Sequence, residues 1–157
     1  MQGNPEFMKQ AIELATENVT SGRGGPFGAV IVRDGEVIAT GVNQVTGTND
    51  PTAHAEVVAI REACRVLEDF VLTSCTMYTS CEPCPMCLAA IYWSRMERIF
   101  YSGTAEDAAA AGFDDAFLYG VMRTSIGERT IPEERLLAER GTESFNAWRQ
   151  FVTRMDY

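Results

Sequence analysis

Several things are scarce in this sequence, and each scarcity removes a class of function. Across 157 residues no apolar run approaches the roughly 18 that a membrane-spanning helix needs, so no membrane partner is expected. The first residues lack the basic-then-apolar layout of a secretory signal, which makes the cytoplasm the expected location. Positive charge is short: 13 lysines and arginines face 22 aspartates and glutamates, for a formal net charge of −9. Nucleic-acid binding relies on cationic side chains that release phosphate counterions, so no nucleic-acid partner is expected and a small molecule fits better. Cysteine is present only as Cys64, Cys75, Cys81, Cys84 and Cys87. An odd number with three crowded into seven positions makes a poor disulfide framework and a good metal or redox cluster, with reduced thiols. Histidine occurs once, as His54, and no internal repeat or low-complexity tract is found beyond the short alanine run at 108–111.

What remains is an ordinary globular composition, 46% hydrophobic and 22% charged, in a length that suits one folding unit. Residues 1–7 read as an expression remnant or disordered N-terminus ahead of Met8, leaving 8–157 as one domain. Met8, Ile12, Ala15 and Val19 recur at helical spacing, and Gly22 to Pro26 end that helix. The apolar runs 29–32 and 37–39 flank Asp34-Gly35, the turn signature of an antiparallel hairpin. A second helix carries Ala53, Val57, Ile60, Cys64 and Leu67 on one stripe. A strand at 75–79, a helix from Cys84 to Trp93 opened by Pro83, and a strand at 98–102 follow. Phe145, Trp148, Val152 and Met155 space a last helix that ends at Asp156-Tyr157. Alternating strands and helices with right-handed crossovers predict an α/β fold. The expectation is a three-layer α/β/α sandwich around a mixed, mostly parallel five-stranded sheet, with the hairpin as its antiparallel edge.

The chemistry concentrates in His54-Ala55-Glu56 and Pro83-Cys84-Pro85-Met86-Cys87, each at the start of a predicted helix. Cys84 and Cys87, three apart, share one face of a first helical turn, where the positive end of the helix dipole favours thiolate. Two thiolates and a neutral imidazole make three zinc ligands, and a three-ligand zinc keeps its fourth tetrahedral position for water, as catalytic sites do. Glu56, two residues from His54, is the candidate base for that water, and the whole follows the zinc-deaminase pattern H-x-E with P-C-x-x-C. Other readings compete. An iron–sulfur cluster lacks a fourth cysteine at ferredoxin spacing. A closed zinc site using Cys81 is opposed by Pro83, which separates that thiol from the helix. A thioredoxin-like pair does not account for His54-x-Glu56. A Cys–His hydrolase would need no metal. Capping-box spacing from Asp50 or Thr52 does not land on Glu56.

These residues resemble the cytidine-deaminase-like superfamily, and the surrounding sequence resembles its guanine deaminase branch from about Phe7 to Tyr157. Outside the zinc motif the likeness rests on 25–30, 49–56, 79–87, 90–93, 111–115 and Tyr157. The resemblance implies hydrolysis of guanine to xanthine and ammonia, with one zinc per subunit on His54, Cys84 and Cys87. Glu56 would take a proton from water and deliver it to a ring nitrogen as hydroxide attacks C2, and Asp115 would assist the departing ammonia. Substrate contacts would come from Asn43 on the purine edge, Ala55, the rings of Phe27 and Trp93, and Tyr157. The family's C-terminal segment, about 123–157 here, would form a lid in a homodimer, exchanged between subunits in the fuller form of that expectation. The alternatives are a deaminase of guanosine or a related amino-heterocycle and, outside enzymes, a zinc-stabilised interaction domain.

Overall fold

The structure is a computed structural model that describes residues 2–156; Tyr157, expected at the substrate, lies outside the described residues. The chain divides into two compact units, Met1–Met122 and Arg123–Tyr157. The first contains helix α1 (Pro5–Thr20), strands β1 (Gly28–Arg33) and β2 (Glu36–Val42), and the short helix α2 (Val45–Thr48). Then come α3 (Ala55–Leu67), β3 (Cys75–Cys81), α4 (Pro85–Trp93), β4 (Arg98–Gly103), α5 (Ala105–Ala110) and α6 (Asp115–Arg123).

The hairpin forms as the sequence requires: Asp34 and Gly35 take φ values of 53° and 82°, the left-handed pair that lets a two-residue turn follow the strand twist. Among the described residues the sheet has four strands in the order β2-β1-β3-β4. β1 is antiparallel to both β2 and β3, and only β3 and β4 run parallel. The expected five-stranded, mostly parallel sheet is therefore corrected to a mixed sheet of four. The cause is topological. The crossover through α3 carries the chain from β2 to a parallel β3, but β1 sits between them, opposed to both. The strand-like runs of the sequence, 29–32, 37–39, 75–79 and 98–102, account for the four strands and leave none for a fifth.

Helices lie on both faces, as expected for the three-layer arrangement. Along β1, Ala29 and Ile31 point into a core with Ala55, Ala59 and Ala63 of α3, Met77 of β3 and Ile91 of α4. Val30 and Val32 point the other way, into a core with Ala11 of α1 and Tyr78 of β3. That period of two places one helical layer on each side of a doubly buried strand.

The α1 stripe is rotated from the expected one, whereas on α3 the expected Ile60, Cys64 and Leu67 pack half-buried against the core beside a row of alanines. On α1 the buried positions are Ala11, Ala15 and Asn18, while Ile12 and Val19 are exposed. On α3 they are Ala55, Glu56, Ala59 and Ala63. The physical reason is close approach: a Cβ on Gly41 would collide with the Ala55 carbonyl and come within 2.6 Å of the Ala59 nitrogen. Only alanines fit against a strand that near, so the larger side chains turn aside. Residues 4–7 also belong to the fold. The Asn4 side chain accepts from the Glu6 N–H as the N-cap of α1, and Phe7 packs edge-on against Tyr78 with centroids 5.4 Å apart.

The second unit contains a short 3-10 turn at Ala138–Arg140 and helix α7 (Glu143–Gln150). Arg140 pairs with Glu143 at 2.7 Å, and Ile131, Leu136, Phe145 and Val152 are exposed. The expected helix through Met155 stops at Gln150, and Phe151 is already extended. Val152 and Thr153, both β-branched, continue a helix poorly.

Candidate active site

Two helix N-termini meet beside the sheet. His54 is the N-cap of α3, so Ala55 and Glu56 are its first two residues. Cys84 is the N-cap of α4 and Pro85, not Pro83, opens that helix, which places Cys87 at its third position. Neither cap makes a side-chain capping bond, so both side chains are free for other work. The helix dipoles make this junction electropositive, which suits anionic sulfur.

His54 Nδ1 lies 3.6 Å from Cys84 Sγ and 3.6 Å from Cys87 Sγ. All three donor atoms lie within 4.8 Å of one another. Zinc–sulfur and zinc–nitrogen bonds at tetrahedral angles put such a nitrogen and sulfur about 3.6 Å apart, so both nitrogen–sulfur spacings suit this metal. The sulfurs are strongly differentiated. The Cys84 thiol is pushed down to about 4, chiefly by the hydrogen bond from Cys87, while that same bond and burial drive Cys87 upward. Hydrogen bonding to Cys84 raises His54. Cys81 stands apart: its thiol donates to the Thr104 carbonyl at 3.4 Å, and burial pushes it up to about 11. It is not a fourth member of the cluster among the described residues.

Glu56 is 5% exposed. Its Oε1 accepts from Thr79 Oγ1 at 3.3 Å and its Oε2 from Cys87 Sγ at 3.4 Å. Two long bonds compensate little of the solvation lost, and burial raises its proton affinity. A cavity of about 360 Å³ opens on these groups, lined also by Asn43, Phe27 and Asp115. Asp115, the first residue of α6, is raised by burial as well. Asn43 is buried at the end of β2, with its Oδ1 accepting from the Val45 N–H at 3.3 Å. Ala55 is fully buried at the first position of α3, where a backbone N–H has no intrahelical acceptor.

Two sequence-derived contacts are not brought here. Trp93 is 62% exposed and lines a separate apolar pocket with Tyr92, Tyr119 and Met122. Its place at the end of α4, pointing away from the cavity, is a consequence of helical phase relative to Cys84 and Cys87. Tyr157 is outside the described residues. Conversely, Phe113 and Glu82 line the cavity without having been singled out. The Phe113 ring meets Phe27 edge-on, with centroids 4.8 Å apart and planes at 82°. Glu82 Oε2 accepts from the Ala105 N–H at 3.2 Å, tying the cavity to the start of α5. Phe113 sits in the same 111–115 segment as Asp115, and that adjacency was the available signal.

Residues 1–103 match the family described as the cytidine and deoxycytidylate deaminase zinc-binding region. Guanine deaminase of Bacillus subtilis (strain 168) is 54% identical over 151 residues, which span 96% of this chain and 97% of that protein. The X-ray structure of guanine deaminase from Bacillus subtilis superposes with a TM-score of 0.96 and 52% identity, covering 99% of each chain. The tRNA-specific adenosine deaminase of Aquifex aeolicus (strain VF5) is 43% identical over 100 residues, 64% of this chain and 66% of that one. A motif-bearing segment that matches the family over 1–103, and relatives that carry the likeness across the whole fold, place the chain in the cytidine and deoxycytidylate deaminase family of zinc-binding enzymes.

Proposed function

We propose that the protein hydrolyses guanine to xanthine and ammonia, with one zinc ion per subunit on His54 Nδ1, Cys84 Sγ and Cys87 Sγ. The observation that carries this reading is a buried carboxylate, Glu56, contacting Cys87 beside the donor triad in a cavity that also holds an amide and two phenyl rings. The near-full-length likeness to a guanine deaminase selects the substrate. Zinc held there supplies Lewis acidity that lets water act as a nucleophile near neutral pH.

The chain's own residues do the rest. Glu56 accepts the proton of the attacking water and delivers it to a ring nitrogen, so one carboxylate serves as base and then acid. Its burial, which raises its proton affinity, suits the accepting step. Asn43 offers a donor and an acceptor to the purine edge, and the first-turn N–H of Ala55 offers another donor. Phe27 and Phe113 enclose the ring without reading its edge. Asp115 relays the proton of the new C2 hydroxyl to the amine as the C2–N bond breaks, so that the xanthine carbonyl and ammonia form together. A net charge of −9 weighs against a polyanionic substrate of the kind a tRNA deaminase takes.

Residues 123–157 act in this reading as a lid, with Tyr157 over the substrate. Two subunits exchange these segments. The exposed Phe145, Val152 and Leu136 of that segment, and the exposed Tyr92 and Trp93 of α4, are apolar surface that such an assembly would cover. Five free cysteines suit a reducing cytoplasm, and among the described residues no helix is long and apolar enough to cross a membrane.

The test is ammonia release from guanine, guanosine, adenine, cytosine and cytidine, with zinc measured on the same protein. Guanine is expected to be the best substrate. Equal turnover of guanosine would remove the closed free-base site, and silence across the panel would remove the proposed activity. Light scattering on the eluted protein is expected to return twice the mass of one chain; a monomer contradicts the exchange.

A further inference from the structure

Asn18 lies on α1, outside the lining of the cavity, yet it is fully buried and its side chain is the meeting point of the cavity wall. Its Nδ2 donates to the Asn43 carbonyl at 2.8 Å and to the Gly25 carbonyl at 2.9 Å. The Gly25 carbonyl also accepts from the Phe27 N–H at 2.9 Å, and the Phe27 carbonyl accepts from the Asn43 N–H at 3.1 Å. One amide group thus ties the Asn43 backbone to Gly25, whose carbonyl also holds Phe27, at the open end of the hairpin. Gly24 closes the arrangement: a Cβ there would strike the Asn43 carbonyl and approach Asn18 Nδ2 to 2.8 Å.

We propose that Asn18 is a positioning residue that sets substrate affinity by holding Asn43 at the purine. This rests on the function proposed above. Three observations favour positioning over ordinary packing. Asparagine is an unfavourable helix residue, yet it occupies a core position on α1. Both its donor hydrogens go to carbonyls of cavity-lining segments rather than to its own helix. Its Oδ1 is buried without a protein partner, a desolvation cost that a residue selected for stability alone would avoid. With the Asn43 main chain held by Asn18 and Phe27, and its Oδ1 engaged by the Val45 N–H, the side-chain Nδ2 keeps a defined direction. Binding geometry fixed before the substrate arrives lowers the cost of ordering it.

The experiment is a double-mutant cycle on the zinc-loaded protein with guanine as substrate. Asn18→Leu, which removes both donors at similar volume, is expected to raise KM about tenfold while kcat changes less than about threefold, the signature of lost uniform binding. Zinc content should stay at the wild-type level. In an Asn43→Ala background the same substitution should change kcat/KM less than about twofold, because its effect passes through Asn43. Should Asn18→Leu fail to fold, Gly24→Ala supplies the second route, displacing the Asn43 carbonyl with Asn18 still in place, and the same KM rise and the same loss of additivity are expected. Equal losses in both backgrounds, or a fall in kcat with KM unchanged, would mean a merely structural residue and overturn the inference. A wild-type protein inert toward guanine would instead refute the proposed function and take this inference with it.

Discussion

Exchanging Glu56 for glutamine alters one atom of a side chain that is 5% exposed and held by only two long contacts, from Thr79 and Cys87. Shape and volume are kept, so the surrounding α3 and β3 have no reason to move. What is lost is the ability to carry a proton. General acid–base catalysis by a placed side chain is worth typically about 10²–10⁴-fold. Because one carboxylate here accepts the proton and then delivers it, the upper part of that range applies: about 10³–10⁴-fold in kcat, or about 4–5.5 kcal/mol of barrier. Stability should move the other way. Burial raises the Glu56 carboxyl above its ordinary value of 4.5, so its protonated form favours folding below that value, and this contribution is lost as pH rises through the raised one. The neutral amide escapes that loss, and in the zinc-free protein the melting temperature of Glu56→Gln should exceed wild type by a margin that grows as pH rises from about 4.5. The assays are steady-state ammonia release, metal analysis and thermal unfolding at several pH values. A kcat within tenfold of wild type with zinc retained refutes Glu56 as proton carrier, and zinc lost in parallel with activity would make it part of the metal grip.

Exhaustive chelation should abolish turnover and lower the melting temperature, since a ligand bound only by the folded state stabilises it; added zinc should restore both, and activity surviving complete metal removal would refute the triad. Gly41→Ala should cost about 1–3 kcal/mol through overpacking against Ala55 and also weaken zinc retention, because α3 carries His54 at its cap; an unchanged protein would contradict the close approach. Asp115 is raised by burial above the ordinary 3.8, so wild type should lose stability relative to Asp115→Asn as pH climbs from about 3.8 through the raised value, and a pH-independent difference in melting temperature would exclude that desolvation. Removing Tyr157 should raise KM with zinc content unaltered, whereas loss of the metal would argue against a lid.

The legible parts of this chain are the local ones. His54-x-Glu56 and Cys84-x-x-Cys87 announced their residue types and their shared helical turn, because three-residue spacing acts within a single turn. The Asp34-Gly35 hairpin was equally plain. Helical periodicity gave the existence of α1 and α3 and the core-packed Ile60, Cys64 and Leu67, but the wrong phase on α1: Ile12 and Val19 outweigh Ala11 and Asn18 on a hydrophobicity pattern, while the packed structure chose the smaller face. The alanine row 55, 59, 63 was hidden for the same reason, since steric room at Gly41 is a property of the partner strand. Trp93 read as a ring-covering residue, and its helix turned it outward.

The sequence by itself determined which atoms can bind a metal, which carboxylate accompanies them, and that both groups sit at the starts of helices. Each of these depends on residue type or on neighbours within a turn. Only the tertiary structure decided that His54 Nδ1 stands 3.6 Å from two sulfurs some thirty positions away, that β1 comes between β2 and β3, that Phe113 meets Phe27, and that Asn18 clasps the backbone of Asn43. Those distances follow from strand order and from how closely a helix can settle on a sheet, quantities set jointly by residues far apart in the chain, so no local pattern contains them.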